Sequence, residues 1–172
     1  RSIGELRAAF DAKTAEELEG SPATVSVMGR VMAYRDSGKT AFLNLMEGGV
    51  RIQVYARKDG LSETEWEIIR LLDLGDFLSV TGTMMRTKAG EISVRVNDLT
   101  LLAKSLSPLP VVKQQRLEDG TVREFGEFSN VETRYRQRYA DLAVNADVRD
   151  TFVQRAQLIR AVREVMDNER ML

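Results

Sequence analysis

The sequence predicts a mainly β protein: a five-stranded barrel wound as a Greek key, with helices before it and, after a linker, one long amphipathic helix. Three observations carry that expectation. Between Thr24 and Leu102 the apolar residues fall into runs with a period of two, which suits strands with one buried face. A capped helix breaks the series after its third run. From Asp150 to Asn168 the spacing becomes helical instead.

The opening residues read as short helices. Thr14-Ala15-Glu16-Glu17 fits a capping box with Thr14 as N-cap, and Gly20-Ser21-Pro22 closes the segment. Residues 1–20 hold three basic and five acidic side chains, so 1–23 is expected to be a solvated helical lead-in. In the first strand Val25, Val27 and Val31 alternate with Ser26, Met28, Arg30 and Met32. Asp36-Ser37-Gly38-Lys39 is a turn by composition. Ala41 to Met46 is the second strand, closed by Glu47-Gly48-Gly49, and Val50 to Tyr55 is the third. Ser62-Glu63-Thr64-Glu65 is another capping box, opening a helix that carries Trp66, Ile69, Leu71 and Leu72. Leu74-Gly75-Asp76 leads into the fourth strand, Phe77 to Arg86, and Lys88-Ala89-Gly90 links it to the fifth, Ile92 to Leu102.

Pro108-Leu109-Pro110 ends the barrel region, 24–107, because prolines so close together cannot continue a strand or helix. Residues 108–131 are expected to be a linker, with 113–130 a polar loop containing Gly120 and Gly126. The last part, 132–172, opens on a string dense in arginine and tyrosine, Glu132 to Leu142. In the helix beyond it Phe152, Leu158, Ile159, Val162, Val165 and Met166 share one face, too apolar to stand alone in water. Three strands, a helix and two strands is the order of the OB-fold, a small barrel used to bind oligonucleotides and oligosaccharides. The order alone also admits a small barrel that binds nothing.

Composition narrows the function. Of 172 residues, 43% are apolar and 30% charged, enough to bury a core and too many apolar for a wholly disordered chain. No apolar run approaches the roughly 20 residues of a membrane-spanning helix. Arg1-Ser2-Ile3-Gly4-Glu5 leads into no apolar block, so neither a membrane partner nor a secretory leader is expected. The first residue is Arg1 rather than Met, so the chain is expected to be part of something longer. Cysteine and histidine are both absent. That excludes disulfides, thiolate nucleophiles, Cys-based zinc sites, and Ser-His-Asp or Cys-His catalysis within this sequence. A formal charge of −1 argues against gripping nucleic acid by bulk charge, so any such contact must be local and shaped, and no DNA partner is expected.

Alternation assigns faces. With Leu43 and Leu45 inward, Phe42 and Asn44 point out; with Val50, Ile52 and Val54 inward, Arg51, Gln53 and Tyr55 point out. Ile92, Val94 and Val96 inward leave Glu91, Ser93 and Arg95 outside, while the facing of Arg35 is undecided. This surface suits an unpaired base. A ring such as Phe42 offers a stacking platform worth about 1–3 kcal/mol per base. The Gln53 amide carries one acceptor and two donors that can meet a uracil edge, and Glu91 can accept from the uracil N–H or a ribose hydroxyl. Arg35 can donate to a carbonyl or phosphate. Each residue also has a bland reading, as an incidental exposed ring or a solvated ion pair.

Gly29-Arg30-Val31-Met32-Ala33-Tyr34-Arg35, Gly38 to Leu45 and Arg51-Ile52-Gln53-Val54-Tyr55 resemble the anticodon-binding domain of class II lysyl-tRNA synthetases. So do Leu74-Gly75-Asp76, Arg86 to Val94, Leu99 to Leu106 and, most specifically, Arg134-Tyr135-Arg136-Gln137-Arg138-Tyr139-Ala140-Asp141-Leu142. The resemblance runs from about residue 24 to 169. It implies a barrel that reads the anticodon of tRNA-Lys, above all its central uridine. It puts the family's stacking Phe on Phe42, its uracil-reading Gln on Gln53, its base-contacting Glu on Glu91 and its first-strand Arg on Arg35. It also implies that 132–172 begins the catalytic domain. There Phe152 to Asn168 resembles the motif 1 helix, with Phe152, Leu158, Ile159, Val162 and Val165 in the interface of a homodimer. The full-length enzyme is implied to be cytoplasmic and to ligate lysine to tRNA-Lys using ATP and Mg2+. Motifs 2 and 3 are missing from this chain, so no catalytic residue, metal or cofactor is expected in it.

Two departures qualify the match. The family's short His-Gly-Leu linker is replaced by Gln114 to Asn130, and Glu169-Arg170 runs straight into Met171-Leu172, which fits beyond a missing strand. Two rivals remain. A general single-strand-binding OB module would have a strongly basic groove, whereas 24–107 carries eleven Lys and Arg against ten Asp and Glu. An aspartyl- or asparaginyl-type fragment shares the barrel but has a shorter arginine-tyrosine string.

Overall fold

The computed structural model describes residues 2–107, 109–110, 113–116, 122–125, 128 and 130–171, with the backbone alone at 113–116 and 122–125. They fall into two compact units, Arg1–Pro108 and Leu109–Leu172.

The first unit opens with α1 (Ile3–Phe10) and α2 (Ala15–Gly20). Five strands follow: β1 (Thr24–Asp36), β2 (Thr40–Glu47), β3 (Val50–Arg57), β4 (Phe77–Arg86) and β5 (Ile92–Ala103), with α3 (Glu63–Arg70) between β3 and β4. The strands close into a barrel in the order β1-β2-β3-β5-β4, with β4 returning to β1. Every pairing is antiparallel except β3 with β5. This is the OB-fold arrangement that the element order predicted. Val27, Val31, Leu43, Leu45, Ile52, Val54, Leu78, Val80 and Val94 fill the interior, and Trp66 and Ile69 of α3 join them.

The lead-in is not merely solvated. Ile3, Leu6, Phe10 and Leu18 belong to the same buried core, so the charge count described only the outer face of these helices. Each helix starts in a capping box, Ser2 with Glu5 and Thr14 with Glu17; the first was not predicted. The Ile3 amide donates to Glu47 at 2.7 Å, and the Arg86 guanidinium donates to the Asp11 and Lys13 carbonyls. Helix and barrel are therefore joined by packing and by hydrogen bonds.

Two faces differ from the expected pattern, and one residue differs in burial alone. Val50, expected inward, is exposed, because it sits at the strand's mouth beside the Gly48-Gly49 turn. Leu71, expected on the packed face of α3, lies past the last helical residue and is exposed, while Leu72 is buried. Ser93 lies on the face expected for it but is fully buried. Close approach governs Gly82: a Cβ there would fall 2.0 Å from the Arg95 carbonyl oxygen. At the barrel's exit Asp76, fully buried, accepts from the Asp73 and Ser105 amides at 2.8 Å and from Lys104 Nζ at 2.7 Å.

In the second unit the expected loop 113–130 contains two antiparallel strands, β6 (Lys113–Arg116) and β7 (Val122–Phe125). Gly120 and Gly126 lie outside the described residues, as does Pro108. The arginine-tyrosine string folds as α4 (Val131–Arg136) and α5 (Arg138–Val144), and α6 (Ala146–Asn168) extends one turn further back than its apolar pattern. Asp141 is fully buried and accepts from Arg134 Nε at 3.0 Å, from Asn145 Nδ2 at 2.6 Å and from Arg138. Among the described residues no helix is long and apolar enough to cross a membrane.

Candidate nucleic-acid interface

Phe42, Gln53 and Glu91 line a single cavity of about 450 Å³ on the barrel surface, together with Arg35. Strand pairing explains the meeting. Directly paired residues share a face, and the register sets Arg35 against Phe42, Phe42 against Tyr55, and Tyr55 against Arg95. A strict period of two from Val27 and Val31 would have turned Arg35 inward. Pairing of β1 with β2 shifts between Val31 and Ala33, and that bulge reverses the phase and puts Arg35 on the cavity side.

The Phe42 and Tyr55 rings lie 4.9 Å apart between centroids, tilted by 34°, and Arg35 Cζ sits 5.3 Å from the Phe42 centroid. The pair forms one half-buried aromatic floor with a cation at its edge. Gln53 stands beside it. Ser93 Oγ donates to Gln53 Oε1 at 2.8 Å, which fixes the amide from below. The two Gln53 N–H donors have no protein acceptor among the described residues, so they remain for a ligand carbonyl.

Glu91 follows Gly90, whose φ of +84° is left-handed and favours glycine. The turn is closed by Thr87, whose carbonyl accepts from Gly90 N at 2.8 Å while Thr87 N donates to the Glu91 carbonyl at 2.9 Å. Glu91 Oε1 accepts from Arg7 Nη1 at 3.2 Å, and its other oxygen is left toward solvent. The carboxylate can accept an N–H from a base while Gln53 donates to a neighbouring carbonyl.

Four cavity residues were missed as candidates. Tyr55 and Arg95 had been turned outward by alternation, and only the cross-strand register could have joined them to Phe42. Arg57 and Lys88 carried no signal beyond their charge. With Arg35 and Arg95 they surround the cavity with four cations, although Arg57 is paired with Asp59. A near-neutral chain thus gathers a locally basic groove, which its total charge did not reveal. Phe152, Leu158, Ile159, Val162 and Val165 lie elsewhere, all exposed on α6.

Residues 25–102 match the OB-fold nucleic acid binding domain family. The chain is 42% identical over 164 residues to a lysine–tRNA ligase of Laribacter hongkongensis, covering 95% of this chain and 30% of that protein. It is 41% identical over 163 residues to one of Halalkalibacterium halodurans, with 95% and 30% covered. For one of Listeria welshimeri the figures are 41% over 174 residues, 100% and 32%. The chain therefore spans about a third of the length of these relatives. Over the barrel this chain is similar to the OB-fold nucleic acid binding domain, and over nearly its whole length it is similar to about a third of each of these lysine–tRNA ligases.

Proposed function

We propose that the barrel captures the anticodon loop of tRNA-Lys and reads a splayed uridine in the Phe42 cavity. One observation carries this: a donor amide, Gln53, and an acceptor carboxylate, Glu91, line the same cavity as the Phe42–Tyr55 floor. The rings stack the base, the Gln53 N–H donates to a uracil carbonyl, and Glu91 accepts the ring N–H. Cytosine has no N–H at that ring position and turns an amine toward the Gln53 donors. Its entry would leave polar groups unpaired, which is how a hydrogen-bonding site discriminates strongly.

In this reading residues 24–107 are the reading module, 1–23 its lead-in, 108–131 a linker, and 132–172 the opening of a catalytic domain. The whole protein would be a cytoplasmic lysine–tRNA ligase that uses ATP and Mg2+ and pairs as a homodimer through the α6 face. Among the described residues no group of three or more carboxylates could hold a metal ion.

The test is binding of the chain to an RNA hairpin with a UUU loop, against the same hairpin with the central base changed to C. Uridine should bind tighter. Phe42→Ala should weaken both hairpins by about 1–3 kcal/mol, and Gln53→Ala should chiefly erode the preference. Equal loss on both hairpins from Gln53→Ala would overturn the division of roles. A second reading, a general single-strand binder, draws on the four cations round the cavity; it predicts equal binding of both hairpins and a steep salt dependence.

A further inference from the structure

We propose that Arg7 of the lead-in helix is a positioning residue of the base-reading site, acting through Glu91. The inference rests on the anticodon reading and extends the site to an element that the sequence assigned to solvent. Arg7 Nη1 donates to Glu91 Oε1 at 3.2 Å, across 84 residues of sequence, while its Nε donates to Asp11 one turn along α1 at 3.1 Å. The guanidinium is thus held from its own helix and reaches the carboxylate from a fixed direction.

The support behind Arg7 is rigid. Ile3, Leu6 and Phe10 anchor α1 in the barrel core, so the helix cannot carry Arg7 away without exposing them. Arg86 joins the same two elements a second time. It donates to the Asp11 carbonyl at 2.7 Å, to the Lys13 carbonyl at 3.0 Å through Nε, and to the Gly90 carbonyl at 2.5 Å. Gly90 immediately precedes Glu91, so the end of α1 is tied to the turn that carries the carboxylate.

Arg7 also shares a more polar cavity of about 710 Å³ with Gln53 and Glu91, adjoining the Phe42 cavity. An exposed ion pair adds little to stability. Its effect here is to engage one carboxylate oxygen, while the other accepts from no side chain among the described residues and stays available to a base. Without Arg7 the Glu91 side chain regains its rotamers, and the acceptor is no longer fixed where the uracil N–H arrives.

The experiment measures the U-to-C binding ratio of the 172-residue chain on the two hairpins, for wild type, Arg7→Ala, Arg7→Lys, Glu91→Gln and Arg7→Ala with Glu91→Gln. Arg7→Ala should lower the ratio by about two- to fivefold at unchanged melting temperature, with Arg7→Lys restoring part of it. In the Glu91→Gln background Arg7→Ala should change the ratio no further. An unmoved ratio in Arg7→Ala, with wild type preferring uridine, overturns the role of Arg7 and leaves the anticodon reading intact. Equal loss on both hairpins with a shallower salt slope would make Arg7 a phosphate contact, and also overturns it. Wild type without preference removes both readings together.

Discussion

Helices α1 and α6 share an amphipathic pattern and end in opposite states. The eight residues of α1 bury Ile3, Leu6 and Phe10, whereas none of the 23 residues of α6 is buried. Alone in water an eight-residue helix is marginal, so α1 owes its existence to the core it completes. Helix α6, with 23 residues, is well past the length at which an isolated helix is marginal. Hydrophobic spacing therefore specifies a face; whether the face is covered depends on the surface its unit supplies.

The sharpest way to break that contrast is Leu6→Ala. Leu6 is fully buried, and its truncation should cost about 2–5 kcal/mol of barrel stability. Urea unfolding followed by Trp66 fluorescence reads this directly, since Trp66 is the only tryptophan and is buried in the barrel. A loss below about 1 kcal/mol would mean that α1 peels away without opening the core, and that it resembles α6 after all.

Buried carboxylates sharpen the comparison, because among the described residues each unit has one. Burial alone would raise the Asp76 carboxyl, but the Asp73 amide, Lys104 and Ser105 amide outweigh it and hold it below its ordinary 3.8. Burial opposes the same result at Asp141, where Asn145, Arg134 and Arg138 prevail. A carboxyl depressed in the folded state stabilises above its unfolded pKa, and that contribution is lost as pH falls through the folded value. Lys104 is raised, first by Asp73 and then by Asp76, so its contribution is lost only at alkaline pH, above its ordinary 10.5. Asp76→Asn should cost about 1–3 kcal/mol at pH 7 and flatten the decline of barrel stability below pH 4. An unchanged acid limb would show that Asp76 does not govern it.

How much of this was legible follows from what each pattern encodes. Period-two runs and turn glycines are local, and all five strands and the capped α3 were readable from them. Phe42 and Gln53 were found by alternation because nothing interrupts β2 or β3 between core and cavity residues. Arg35 was not, since a bulge leaves no trace in composition. Ser93 was turned the right way, yet its burial under Gln53 depends on a parallel strand forty residues away in sequence. Arg7 was invisible for the same reason: its partner is set by tertiary packing and not by spacing.

A smaller effect is expected at the start of α1. Ser2 accepts from the Glu5 amide while Glu5 accepts from Ser2, so Ser2→Ala removes half of a capping box. The barrel should lose about 0.5–1 kcal/mol in the same urea assay. Helix α6 offers no matching handle, because Asn145 caps none of its amides and donates to Asp141 instead. An Asn145→Ala change would therefore report on the buried carboxylate and not on the cap.

The smallest effect should come from Leu158→Ala. Leu158 is 66% exposed on α6, so truncation buries no cavity and should change stability by less than about 0.5 kcal/mol. Helicity should hold or rise slightly, because alanine is the better helix former. The measurement is circular dichroism across a hundredfold range of protein concentration. If the chain remains a monomer, wild type and variant melt alike at every concentration, and the contrast with Leu6 stands. A penalty that grows with concentration would mean that a second copy covers the α6 face. The two helices would then obey one rule, with burial supplied within the unit for α1 and between chains for α6.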